Sequence, residues 1–414
     1  MSDPEGEIDA HFSPDIPKAL GVAVSGGSDS MALLVLLRDY AARNRIALSC
    51  ATVDHGLRPE AAAEAEGVAA YCAAHDVPHV TLKWTGWNGK GNTQNAARVA
   101  RYRLLADWAR GQGITDIALG HTQDDQAETV LMGLARASGV DGLSAMAARR
   151  DDRGLCWHRP LLAMSRAQLR GFLRGRGVAW CEDPSNEDDQ FERIKARRAL
   201  ATLADLGVDR ASLAQVAGNM AQARSALEHQ TMQAVRDLVC LRGGGAAMPW
   251  SGFLGLPQEI ARRLLVAAID WIAAPSHAPR QKALAAALAA AETSDSATVA
   301  GCRLIRVGDT FWIFREFQAV AHIRSDASAL WDDRWQIFGD QNAEVSEIRA
   351  LGEDGLLQCP EWRGTDLPRT LLLATPAVWQ GDVLIAAPVA QSTSAWRAEV
   401  IKRPGCLFDR VFGH

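Results

Sequence analysis

The run Ser25-Gly26-Gly27-Ser28-Asp29-Ser30 places two glycines, three hydroxyls and a carboxylate between an apolar stretch, Leu20–Ser25, and an amphipathic one from about Ser28 to Ala42. Glycine lets a backbone approach a ligand closely, and the first turn of a helix offers unpaired N–H groups to an anion. The segment therefore predicts a phosphate site. It has neither the G-x-x-x-x-G-K-[ST] nor the G-x-G-x-x-G spacing, so it is neither a Walker loop nor a dinucleotide fingerprint; GWNGKGN at Gly86–Asn92 also fails the Walker spacing and reads as a connection. A second cluster, His121, Asp124, Asp125 and Glu128, falls where a strand passes into a helix, with Asp124 and Glu128 on one face at i, i+4. Carboxylates there suit Mg²⁺, which keeps water and phosphate as its other ligands, and equally suit an ammonium. Acidic residues also favour a helix N-terminus for its dipole; the nearby phosphate loop tips the reading towards chemistry.

These groups need a scaffold, and the first half of the chain supplies one by alternating short apolar runs with amphipathic stretches, as βαβ units do. Strands are expected at Leu20–Ser25, Ala47–Val53, His79–Trp84, Ile117–Gly120 and Leu155–His158, with helices at about 28–42, 59–74, 93–110, 124–137 and 165–174, the last with a Ser165/Gln168 capping pattern. A polar loop, DPSNEDDQ, leads into a helical tract from Phe191 to about Leu241 broken near Gly207, and GGGAAMP reads as a linker. Helices at Leu256–Ala274 and Gln281–Ala291 and a hairpin turning at Gly308-Asp309 follow, then short runs, LLLATP and DVLIAAP, that suggest strands. The expected fold class is α/β, a doubly wound parallel sheet over residues 18–200, followed by a helical linker (201–242), a small α+β domain (243–325) and a β-rich C-terminal domain (331–414).

The strand–SGGSDS–helix unit resembles the PP-loop of the Rossmann-like N-type ATP pyrophosphatases, which split ATP between the α- and β-phosphates and adenylate an oxygen. Three further segments resemble the tRNA-isoleucine lysidine synthetases: Val53-Asp54-His55-Gly56-Leu57-Arg58, the run from His121 to Thr129, and the run from Ser138 to Met146. The resemblance is specific over about residues 20–198 and weaker over 215–320. It implies a ligase that uses ATP and Mg²⁺ to join L-lysine to the wobble cytidine of the CAU anticodon of tRNA(Ile), through an adenylated cytidine, releasing pyrophosphate and then AMP. ATP would lie on Ser25, Gly26, Gly27, Ser28, Asp29 and Ser30, with Asp54 and His55 on the adenine and ribose side. Asp29, His121, Asp125, Glu128 and Arg101 would be catalytic, with lysine at Asp125 and Glu128 and the metal at Asp29 and Asp124. Of Arg98, Arg101 and Arg103, one is expected at the phosphates, Arg101 ahead of Arg98.

Arg166, Arg170 and Arg174 recur at i, i+4, i+8 as phosphate-tracking side chains would, although a plain exposed helix gives the same spacing. The family's DPSN loop ends in R-N-R-x-R, whereas this chain reads Arg193-Ile194-Lys195-Ala196-Arg197. Lysine cannot make the bidentate fork, which leaves Arg193 and Arg197 with that stripe as the tRNA candidates. From Arg153 to Arg224 twelve basic residues face eight acidic ones, and from Trp331 to His414 the balance reverses, so the net charge of −5 does not exclude a nucleic-acid partner.

Composition bounds the alternatives. With 414 residues, 48% hydrophobic and 22% charged, the chain reads as several soluble domains rather than a disordered or fibrous one. Apolar stretches such as Met31–Leu37 fall short of a membrane span, and the acidic MSDPEGEIDA start resembles no signal or transit peptide, so a cytoplasmic protein without membrane contact is expected. The eight cysteines include no C-x-x-C pair, which weighs against the competing reading, a tRNA thiolation enzyme of the same superfamily. A non-catalytic nucleotide-binding relative is the other competitor, disfavoured by the joint presence of SGGSDS and the His121–Glu128 cluster. The thirteen tryptophans, five of them from Trp331 onward, are expected to pack cores rather than stack bases. The oligomeric state stays open, a homodimer being one arrangement.

Overall fold

The computed structural model describes residues 3–56, 60–85, 93–152, 154–182, 192–275, 277–293, 296–326, 328–339, 347–391, 395–401 and 406–412. The expected connection at Gly86–Asn92, the DPSNEDDQ loop, and Leu57 and Arg58 lie outside the described residues. Two compact units divide the chain, residues 1–225 and 226–414.

The first unit runs α1 (Pro4–Phe12), β1 (Ala19–Ala23), α2 (Ser28–Asn44), β2 (Ala47–Asp54), α3 (Glu60–Ala74), β3 (His79–Lys83), α4 (Thr93–Gly111), β4 (Asp116–Leu119), α5 (Gln123–Ala135), α6 (Val140–Leu143), β5 (Arg149–Asp152), β6 (Leu155–His158), α7 (Arg166–Gly175) and α8 (Glu192–Leu203), with α9 (Arg210–Leu238) crossing into the second unit. Its sheet has the order β3-β2-β1-β4-β6-β5, parallel except for β5. Side chains alternate across a strand. Leu20, Val22 and Val24 therefore meet α1, α2, α3 and α7 on one face, while Ala23, with Ile117 and Leu119 of β4, meets Leu105 and Ala109 of α4 on the other. The order reverses between β1 and β4, and ligands bind outside the carboxyl ends of strands at such a reversal. The phosphate loop follows β1, and His121 follows β4.

In the second unit β7 (Cys240–Arg242), β8 (Gly245–Pro249), α10 (Trp250–Leu254), α11 (Gln258–Ala273), α12 (Gln281–Glu292), β9 (Ala297–Val299), β10 (Cys302–Val307) and β11 (Thr310–Arg315) build a five-stranded antiparallel sheet, β7-β8-β11-β10-β9, against α11 and α12. Then come α13 (Phe317–Val320), β12 (Arg324–Ser325), β13 (Trp335–Phe338), β14 (Glu347–Ala350), α14 (Gly352–Leu357), α15 (Arg369–Leu372), β15 (Pro376–Gln380), β16 (Val383–Ala386), β17 (Arg397–Val400) and α16 (Leu407–Phe412). These form a second sheet, β12-β14-β15-β16, and a β13–β17 ladder. Trp331, Trp335 and Trp379 are buried in these cores. The GGGAAMP linker reading is corrected: Gly243 and Gly244, at φ 56° and 75°, turn the β7–β8 hairpin, and residues 245–249 are a strand. LLLATP is likewise corrected, since Leu371 and Leu372 close α15 and the strand begins at Pro376. No helix among the described residues is long and apolar enough to cross a membrane.

Candidate active site

Gly26, at φ 87°, turns the chain out of β1, and its carbonyl accepts the Cys181 N–H at 2.9 Å. Ser30 folds the loop on itself, donating to the Gly27 carbonyl at 3.0 Å and accepting from the Ser25 N–H at 3.1 Å. Gly27 occupies the N-cap of α2 with no side chain to bond the first turn, which leaves the N–H groups there without the usual side-chain cap. From the neighbouring strand, Gly120 presses against this turn: a Cβ on it would lie 3.0 Å from the Ser30 N and Cα.

At the start of α5 Thr122 and Asp125 form a capping box, Asp125 Oδ2 accepting the Thr122 N–H at 2.9 Å and its hydroxyl at 3.0 Å. That leaves Oδ1 for Arg166 Nη2 at 2.7 Å. The same guanidinium donates from Nε to Asp29 Oδ2 at 2.9 Å and from Nη1 to Glu128 Oε1 at 3.1 Å. Arg197 Nε adds a 2.6 Å bond to Glu128 Oε1, while Glu128 Oε2, on a side chain only 1% exposed, has no hydrogen-bond partner among the described residues. Burial and the nearby Asp125 raise the Asp29 carboxyl above its ordinary range despite Arg166. Burial would raise Asp125 too, but Arg166 and the Thr122 N–H outweigh it and hold it low. Burial pushes His121 down to about 3, so its imidazole is neutral, and its Nδ1 has no partner among the described residues.

A cleft of about 590 Å³ is lined by Ser25, Gly27, Ser28, Asp29, Ser30, Gly120, His121, Asp125, Cys181 and Glu182, together with Arg101, Arg166, Arg170, Arg193 and Arg197. Five guanidinium groups around a glycine turn suit a polyphosphate. Ser25 and Arg101 also line an adjoining, less polar cavity of about 270 Å³ with Ala51, Val53, His55 and Ala61, where a nucleoside would fit.

A family model described as a PP-loop domain matches residues 2–204. The tRNA(Ile)-lysidine synthase of Ruegeria pomeroyi is 49% identical over 98% of this chain and 96% of its own length. The chain belongs to the tRNA(Ile)-lysidine synthase family. The synthase of Wolbachia pipientis wMel is 36% identical over 79% of this chain and 78% of its own, and that of Rhodopseudomonas palustris is 42% identical over 70% and 88%.

With the family known, the departures of this chain from the expected residue roles have physical explanations. Arg166 is corrected: it does not stand on a solvent-facing stripe with Arg170 and Arg174, because it occupies the first turn of α7 and reaches into the carboxylates. Arg170 lines the cleft, 3.4 Å from Ser28 Oγ, and only Arg174 is turned to solvent, over the Trp180 ring. Asp124 is corrected as a metal ligand: Oδ2 accepts the Arg166 backbone N–H at 2.9 Å, Oδ1 meets Arg210 Nε at 3.0 Å, and the side chain does not line the cleft. Arg193 and Arg197 share a face of α8 at i, i+4 and look into the cleft, whereas Lys195 is exposed and Ile194 and Ala196 are buried. The lysine and isoleucine that depart from the family pattern are thus off the cleft wall. Arg101 is on that wall; Arg98 instead lies over the Tyr102 ring at 5.2 Å, and Arg103 is exposed. His55 lines the smaller cavity, edge-on to Trp84, while Asp54 accepts the Gly56 N–H at 2.8 Å and lines neither cavity. Gly120 was missed; its signal is a glycine between an apolar strand and a polar, acidic cluster.

Proposed function

We propose that this chain catalyses ATP-dependent formation of lysidine at the wobble cytidine of the CAU anticodon of tRNA(Ile). The observation that carries this is a relative of that name at 49% identity over nearly the whole of both chains, on a cleft that joins a phosphate loop to a buried carboxylate cluster. In the first step the cytosine carbonyl oxygen attacks the α-phosphorus and pyrophosphate leaves. In the second an amine of lysine, having lost a proton, attacks the activated carbon and AMP leaves. The loop amides and the Arg101 and Arg193 guanidiniums hold the phosphates and meet the charge that builds on the leaving group. Asp125 on the cleft wall and Glu128 buried behind it hold the incoming amine, and neutral His121 offers a hydrogen bond rather than a charge. Asp29, with the Ser25 and Ser28 hydroxyls beside it, offers hard oxygen donors that would hold Mg²⁺ once Arg166 releases its carboxylate, and the ion would screen charge on the phosphates.

The tRNA contacts belong to the same proposal. The isoleucine and methionine tRNAs share the CAU anticodon, so what tells them apart must touch the tRNA elsewhere; residues 243–325 and 331–414 are assigned that role. Arg170 and Arg174 would position phosphates without specifying sequence. Incubation with ATP, labelled L-lysine and total tRNA, followed by nucleoside analysis, should show label in one modified cytidine with one AMP released per event. Sulfur incorporation, or ATP binding without turnover, would reject the reading.

A further inference from the structure

The backbone of Arg166 is anchored before its side chain does anything. Ser165 and Gln168 close a capping box around the start of α7. The Arg166 N–H is bonded to Asp124 Oδ2, and Arg210 holds the other oxygen of that carboxylate. From this fixed point one guanidinium spreads three nitrogens over three carboxylates, Asp29 on the phosphate loop and Asp125 and Glu128 on α5. The side chains so covered are 18%, 8% and 1% exposed, so the charges are largely removed from water and matched closely to the cation.

We propose that Arg166 is a positioning residue that keeps the amine-binding carboxylates closed until nucleotide draws it away, so that lysine binds well only after ATP. The inference rests on the reading that Asp125 and Glu128 receive the amine of lysine. An ammonium and the Arg166 guanidinium are both cations seeking the same carboxylates, and Glu128 Oε1, already accepting from Arg166 and Arg197, has no lone pair left for a third donor. The unpartnered Glu128 Oε2 is a buried acceptor still lacking a donor, which an amine reaches only once Arg166 has moved, and displacing Arg166 without a substitute anion would strip it of three charged hydrogen bonds at once. Arg166 also lines the phosphate cleft. A bound triphosphate is therefore a second anion beside it, and turning towards it exchanges carboxylate for phosphate hydrogen bonds and frees α5. Coupling of this kind is reciprocal: whatever ATP does to the affinity for lysine, lysine does to the affinity for ATP.

Equilibrium dialysis of labelled L-lysine against the full chain tests this, with and without α,β-methylene-ATP and Mg²⁺. The wild-type chain should bind lysine at least about tenfold more tightly with the nucleotide present. Arg166→Gln should bind lysine almost equally in both states, within about twofold, and lysine should no longer tighten nucleotide binding. Arg166→Lys, one point charge in place of a fork, should fall between and retain the fold should the glutamine variant lose it. Lysine binding by the wild-type chain that ignores nucleotide overturns the inference alone, as does a glutamine variant that keeps the tenfold effect or that binds nucleotide but never lysine. No lysine binding by the wild-type chain in either state sinks the functional reading and the inference with it.

Discussion

Glu128→Gln separates recognition of the amine from activation of the nucleotide. The carboxylate is 1% exposed, accepts from Arg166 at 3.1 Å and Arg197 at 2.6 Å through one oxygen, and leaves the other open. The amide keeps the shape and one acceptor but loses the charge. A buried charged hydrogen bond to an ammonium is worth roughly 2–3 kcal/mol, so the lysine KM should rise roughly 30- to 150-fold. Stability should fall by only about 1–2 kcal/mol, because both arginines keep some water and Arg166 keeps two other carboxylates. Glu128 does not line the phosphate cleft, so the ATP KM should change by less than about threefold. Steady-state lysidine formation with lysine and ATP varied in turn measures both constants. Equal rises in the two would show that Glu128 serves the phosphates or their metal, and the division of labour between α5 and the loop would be wrong.

Three further outcomes are expected. Gly120→Ala puts a Cβ 3.0 Å from backbone atoms of Ser30, so the loop must shift by a few tenths of an ångström; kcat/KM for ATP should fall several-fold, up to about tenfold, with the chain still folded by circular dichroism, and unaltered kinetics would show that the close approach is not needed. Replacing Arg170 and Arg174 by alanine should weaken binding of isoleucine and methionine tRNAs alike and make the plot of log affinity against log salt shallower by up to about 2, whereas an unchanged slope rejects them as phosphate contacts. Burial holds His121 far below the 6.5 of a free side chain, so its share of stability is complete above pH 6.5 and is lost progressively as pH falls below it. Urea melts of His121→Gln should accordingly lose less stability than the wild-type chain between pH 7 and pH 5, and parallel losses would contradict a buried neutral imidazole.

Strands β1, β2, β4 and β6 were legible as largely apolar runs, with glycines following β1 and β4, because two-faced burial in a parallel sheet demands such runs; β3, at the edge, showed itself by Val80 and Leu82. β5 was not, because its residues are Arg-Arg-Asp-Asp: an edge strand open to water is set by pairing with β6, Arg149 opposite His158 and Asp152 opposite Leu155, and carries no apolar pattern of its own. β8 escaped for the opposite reason. It opens Gly-Ala-Ala, with Phe314 and Leu371 crowding Gly245 and Trp335 crowding the Gly244 turn before it, so its start lacks the branched side chains that mark a strand. α1 precedes the first strand and looks like a short acidic tail, yet Ile8 and Phe12 are fully buried against α2.

The site divides along the same physical line. SGGSDS and His121–Glu128 each lie within one strand-to-helix junction, where local residue types dictate local chemistry, and the spacing of each is visible in the chain. The i, i+4, i+8 recurrence of Arg166, Arg170 and Arg174 is equally local and puts them on one side of α7, but not which way that side faces. Leu169 and Leu173 decide it: packed into the core with α2, they roll the helix so that its first arginine points at Asp29, 137 residues earlier, while its last stays in water. Asp124 shows the converse. Its i, i+4 relation to Glu128 suggests a shared ligand, yet one turn of helix carries Glu128 inward to the guanidiniums and leaves Asp124 at the rim, where the nearest unsatisfied donor is the Arg166 N–H at the start of α7. A carboxylate placed to cap one helix thereby fixes the arginine that bonds Asp125 and Glu128 of the other and Asp29 of the phosphate loop, the link that the proposed coupling of lysine to ATP requires.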